Sequence, residues 1–203
     1  MSPHSQLIIA VSAFLLVGLV QASSKPHDRH EKHNTCQEFT QGQVFNDSQA
    51  IGTWHLLHFK TEKTNGSGES HCVQFSLISD QEREDLQNLI GKYVENLKWE
   101  NLTLKMQIPC ASISTNKTRD YYLERLEGDG SYRTLQMPPS TAKLDLAEFH
   151  RYPMRLKIIE SQYLGMMDCH EKFMFLMGKQ PPEGRELDER LKKMIDAYWP
   201  NES

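Results

Sequence analysis

Four cysteines, Cys36, Cys72, Cys110 and Cys169, are the first residues of this 203-residue chain that could carry chemistry. No two are close enough in sequence to form the paired ligands of a zinc site. An even number reads instead as two disulfides, with three pairings open. If all four are paired, no thiol is left as a nucleophile. His27, His30 and His33 recur every third residue, and on a helix they would line up toward a metal ion. They lie in the polar stretch Ser23 to Thr35, where a flexible leader with solvated imidazoles is the simpler reading, and no metal site is expected. The chain has no Ser-His-Asp context, zinc motif or phosphate-binding glycine loop. Its acidic residues fall mainly in helical and loop segments, where solvated faces are the rule. The residues therefore point away from an enzyme.

The chemistry that remains is covalent modification and ligand contact, and both depend on compartment. Residues 1–22 form a segment of their own: Leu7 to Val20 is almost wholly apolar, and Val20-Gln21-Ala22 has the small-residue spacing of a secretory cleavage site. The run is short for a membrane span and no stop-transfer pattern follows it, so a signal peptide removed near Ala22 is expected, and a secreted, extracellular protein with it. Sequons at Asn46, Asn65, Asn101 and Asn116 match the N-glycosylation acceptor pattern. A fifth, Asn201, follows Pro200 at the end of the chain and is set aside. Glycans need surface positions, so these asparagines also mark loops and outward strand faces. With 23 Lys and Arg against 27 Asp and Glu and no basic cluster, nucleic acid is not expected as a partner. The remaining length of about 180 residues suits one domain with a good core.

The elements that must position any site are mostly strands. Trp54 to Phe59 is aromatic-rich and runs into the glycine-containing loop Thr61 to Ser70, and His71 to Ile78 is a second strand. Leu86, Leu89, Ile90, Tyr93 and Leu97 then fall at helical spacing, with Asp80 as a cap, so a short helix over 80–97 is expected between early strands. In Trp99 to Ile108 the residues Leu102, Leu104, Met106 and Ile108 alternate with polar ones. Asp120 to Leu126 and Ser131 to Met137 flank Glu127-Gly128-Asp129-Gly130, a hairpin signal. Lys143 to Phe149, Arg155 to Glu160, Gln162 to Cys169 and Lys172 to Gly178 complete eight or nine strands, the pattern of an antiparallel barrel or sandwich. After Pro181-Pro182, Leu187, Leu191, Met194, Ile195 and Tyr198 give a final helix with one apolar face. That face needs a surface to bury on. Phe173-Met174-Phe175-Leu176-Met177 is apolar on both sides and offers one, so its methionines are read as core packing rather than as a peptide-binding groove.

Gly52-Thr53-Trp54 opens the first strand after an N-terminal Cys. Tyr163 to Cys169, of the form Tyr-x-x-x-x-x-Cys, precedes an apolar last strand and one helix. This order resembles the lipocalin family across nearly the whole mature chain, with the arthropod bilin-binding and apolipoprotein D-like branch nearest. Ile158-Ile159-Glu160-Ser161 stands where that family often has Thr-Asp, so the chain looks like a divergent member. The resemblance implies an eight-stranded, up-and-down antiparallel β-barrel over 51–180, after an N-terminal segment 23–50 and before a C-terminal helix and tail 181–203. It implies that Trp54 plugs the closed end, with Gly52 before it and Lys179, where relatives often have Arg, packed over its ring. In such a meander Cys72 lies beside Cys110, and relatives tie the N-terminal segment to the penultimate strand, here Cys36 to Cys169.

A barrel of that size holds one small apolar molecule. Counting alternately from Trp54 turns Leu56 and His58 inward. Leu104, Met106, Tyr132, Tyr163, Phe173 and Phe175 follow as lining residues on the same logic. A buried His58 would offer a hydrogen bond to a polar ligand group, or a ligand to haem iron. No cofactor is required on this reading, and the occupant would be a lipid, a pigment or a tetrapyrrole. The second reading is a protein-binding module, a protease inhibitor or antagonist that acts on a protein partner through the barrel loops.

Overall fold

The computed structural model describes residues 35–61, 65–67, 71–110, 118–138, 144, 149–181 and 187–197. Residues 1–22, His27, His30, His33, Asn116 and most of the expected strand at 143–149 lie outside the described residues.

The chain forms a closed, eight-stranded, all-antiparallel up-and-down β-barrel. β1 (Gly52–Lys60) is followed by β2 (Asn65–Ser67) and β3 (Cys72–Leu77). Both pair with β1, β3 along Gly52 to His55 and β2 along His58 to Lys60, so together they occupy one position in the wall. The meander continues through β4 (Leu102–Ile108), β5 (Arg119–Arg125), β6 (Ser131–Gln136), β7 (Pro153–Ile159), β8 (Tyr163–Asp168) and β9 (Phe173–Gly178). β9 returns to pair with β1 and so closes the barrel. The β5–β6 turn places Gly128 at φ 92 and Gly130 at φ 61. A Cβ on Gly130 would stand 2.0 Å from the Leu156 carbonyl oxygen, so only glycine fits there.

Alternation along the strands divides the apolar residues into an inner set and two outer ones. Trp54, Phe75, Leu104, Met106, Leu123, Leu156, Leu164 and Met166 belong to the inner core. On the outer face, α3 (Asp80–Ile90) buries Leu86 and Ile90 with Leu102, Tyr122 and Leu135. α3 starts where Ser79 Oγ accepts the Glu82 N–H at 3.1 Å, and stops at Gly91. It is shorter than the expected helix, because residues 91–97 continue as turns that still bury Val94 and Leu97. The other outer cluster lies beneath α4 (Glu189–Asp196), where Leu191 and Ile195 meet Met174, Leu176, Met167 and Phe39. Burial of each such Leu or Ile contributes about 1.5–3 kcal/mol, enough to dock an eight-residue helix that would not form alone.

The N-terminal segment contributes two short helices, α1 (Thr35–Glu38) and α2 (Asp47–Ala50), which the sequence pattern does not suggest. Asn46 caps α2: its Oδ1 accepts the Ser48 N–H at 3.0 Å, and its own N–H donates to Gln49 Oε1 at 2.8 Å. The disulfides are Cys36–Cys169 and Cys72–Cys110, the pairing implied by the resemblance. The first spans 133 residues and fastens the N-terminal segment to the end of β8; the second spans 38.

Candidate functional site

One end of the barrel interior is closed by side chains packed against α2. Trp54 lies 3% exposed near the start of β1, and its Nε1–H donates to the Ala50 carbonyl at 2.6 Å. That bond ties the indole to the end of α2, which crosses beneath it. Lys179, just past β9, holds its Nζ 3.7 Å from the Trp54 ring centroid and donates to the Ile51 carbonyl at 2.8 Å. Desolvation against this surface pulls the Lys179 ammonium below the usual lysine value. Gly52 sits at φ +107, and a Cβ there would come within 3.1 Å of Lys179 Nζ. Gly52, Trp54 and Lys179 thus take the structural places expected of them.

Tyr132 completes the floor. Its ring meets Phe45 edge to face at 6.3 Å, and its hydroxyl donates to Asp47 Oδ1, which also takes Arg125 Nη2. Burial, reinforced by the Asp47 carboxylate, pushes the Tyr132 phenol well above its ordinary range, so it stays a neutral donor. Above this floor Leu104, Met106, Leu123, Leu156 and Met166 are buried. Leu56, Ile108, Tyr121, Ile158 and Phe175 pack on the same inner core yet stay only half-buried. An inward apolar side chain keeps accessible surface only where the space beside it is not filled by protein. Phe173 stands at the upper end of β9, 36% exposed, with its ring edge-on to Phe175 at 6.0 Å.

Two expected lining residues are elsewhere. His58 faces outward: its Nε2 lies 2.9 Å from Asp196 Oδ1 on α4. The cause is a register shift in the β1–β9 pairing between Leu56 and His58, which inserts one residue and turns the following side chains over. Leu56 pairs with inward Met177, whereas His58 pairs with outward Leu176. His58 is therefore not placed to meet a ligand or haem iron. Tyr163 also packs outside, with Ile159 and Met167 beneath α4, because inward positions on β8 are Leu164 and Met166. Leu56, Leu104, Met106, Tyr132 and Phe175 do share the interior. Phe45, Asp47, Tyr121 and Ile158 join the interior or its floor beyond the expected set. Strand alternation in β5 and β7 carries the signal for Tyr121 and Ile158, whereas no local pattern marks α2 as a plug.

Among the described residues no three His, Cys, Asp or Glu side chains gather to hold a metal ion, and no cysteine is free. No described helix is long and apolar enough to cross a membrane. Asn46 is exposed and Asn101, in the 3-10 turn before β4, is partly so. No protein-family model and no curated protein matches this chain.

Proposed function

We propose that the protein is a secreted, divergent lipocalin that binds a small apolar molecule inside its barrel and does so without catalysing a reaction. The observation that carries this reading is the combination of a sealed floor with half-buried inward side chains above it. Trp54, Tyr132 and α2 close one end, while Leu56, Ile108, Tyr121, Ile158 and Phe175 keep apolar surface unfilled. A ligand that covers about 100 Å² of such surface gains roughly 2.5 kcal/mol from apolar burial alone. The Asp47 carboxylate at the floor is engaged by Tyr132 and Arg125, which favours holding a molecule over transforming it. Two disulfides, an apolar leader and the sequons support an extracellular setting. The lipocalin reading rests on the Gly52-Thr53-Trp54 opening and on Lys179 over the indole of a closed eight-stranded barrel.

The test is equilibrium titration of delipidated protein with a fatty acid, a retinoid and a tetrapyrrole, read by tryptophan fluorescence. Saturable quenching at one site per chain supports the proposal. No response to any of the three, with no small molecule found by native mass spectrometry on protein from its own source, overturns it.

A further inference from the structure

A second cleft, of about 550 Å³, lies outside the barrel wall between the segment after α1 and the β5–β6 turn. That size falls within the ordinary range for small-molecule sites. Ser131 and Arg155 form its floor as directly opposed residues of β6 and β7. Thr40 and Ser131, both lining it, are buried. Arg155 is half-buried, and its Nη1 donates to the carbonyl of the adjacent Met154 at 2.9 Å. A guanidinium has five N–H donors, so one such bond leaves most of the fork unused. Among the described residues no carboxylate lies within ion-pair reach of Arg155. Arg125 and Arg151, by contrast, each hold one: Asp47 and Glu124. Burial lowers the proton affinity of Arg155, with no opposing contribution from an acidic neighbour. Glu38, on α1, and Glu127 and Asp129, on the turn, line the same cleft without coming within ion-pair reach of Arg155.

We propose that this cleft binds a small zwitterion of the amino-acid or short-peptide type, its carboxylate in the fork of Arg155 and its ammonium against Glu127 and Asp129. A simple anion would answer Arg155 but meet the three carboxylates that line the cleft. A simple cation would answer the rim and leave the guanidinium partly desolvated and unmatched. Only a molecule with both charges answers both sides. The planar fork favours a carboxylate, which it meets with two parallel N–H···O bonds. The buried Thr40 and Ser131 hydroxyls add polar contacts of either sense. The cleft lies on the outer side of the wall, because Tyr132, Met154 and Leu156 beside Ser131 and Arg155 take the inward positions.

Three probes with one backbone test it: glycylglycine, its N-acetyl derivative, which keeps only the carboxylate, and glycylglycinamide, which keeps only the ammonium. Binding is followed by amide shifts of isotopically labelled full-length protein. The expected result is saturable shifts at Gly128, Ser131 and Arg155 with glycylglycine, and affinities at least about tenfold lower for the two singly charged probes. Arg155→Gln should remove the response, and Arg155→Lys, which keeps the charge but loses the fork, should weaken it, with the fold of each checked by circular dichroism. Equal binding of N-acetylglycylglycine and glycylglycine would overturn the proposal, as would no shift with any probe at about 10 mM. The probe comparison uses unaltered protein and so stands even if a variant fails to fold.

Discussion

The Lys179 ammonium lies 3.7 Å from the centre of the Trp54 ring while it donates to the Ile51 carbonyl at 2.8 Å. One side chain thereby joins the exit of the last strand to the entrance of the first, at the point where the barrel closes. The indole in turn holds α2 through the Ala50 carbonyl. Closure, plug and floor are consequently one mechanical unit.

That unit gives the first prediction. Lys179→Met should lower unfolding stability by about 0.5–1 kcal/mol, the size of a cation–π contact at an exposed site. Lys179→Arg should match or exceed the native stability, since a planar guanidinium stacks better on indole. Trp54→Ala should cost about 3–5 kcal/mol. Denaturant unfolding followed by far-ultraviolet circular dichroism measures all three.

His58 provides a test that separates wall from interior. Because its imidazole bonds Asp196 on α4, His58→Ala should destabilise the protein by about 1–3 kcal/mol and leave ligand affinity unchanged. Asp196→Asn should do less, since the amide still offers a hydrogen-bond partner. A large loss of ligand affinity in folded His58→Ala would contradict the outward placement.

Inside the barrel the affected property should be affinity rather than stability. Ile158→Trp adds bulk where the inner wall is incompletely filled, so the protein should stay folded while apolar ligand affinity falls about tenfold or more. Tyr163→Ala, on the outer face beneath α4, should lower stability and leave affinity intact. The pair is measured by thermal unfolding and fluorescence titration in parallel.

The outer face under α3 sets an alkaline limit. Burial pushes the Tyr122 phenol up to about 12. Lys105 loses some proton affinity to desolvation, but its bonds to Glu82 and Asp120, both at 3.1 Å, more than restore it and leave it raised. Both folded values exceed the unfolded ones, about 10 for Tyr and 10.4 for Lys. The unfolded chain therefore releases these protons first, and stability must fall as pH rises beyond that point. The contribution of Tyr122 and Lys105 to the unfolding free energy should be level from neutral pH to about pH 10 and decline above it. Tyr122→Phe should flatten the early part of that decline.

Much of the architecture is legible in the residues because period-two alternation survives wherever strands are regular. Leu104 and Met106 fall inside as the alternation of β4 requires. Gly52 and Trp54 mark the closed end because a positive φ and a buried indole each leave a clear residue type. His58 and Tyr163 escape the same logic for different reasons. The β1 irregularity has no residue signature in Leu56-Leu57-His58, so a strict count runs on past it. Tyr163 begins its strand, where a single aromatic residue does not say which face it takes. The plug formed by Asp47 depends on partners 78 and 85 residues away, Arg125 and Tyr132, and no local pattern contains such information.

Ligand carriage is tested most directly by fluorescence titration of delipidated protein beside its Ile158→Trp variant. Its outcome is read together with native mass spectrometry of each. One molecule of a fatty acid, retinoid or tetrapyrrole is expected per unaltered chain, with at least about tenfold weaker binding in the variant. Equal binding by both proteins, or none by the unaltered one, would contradict it.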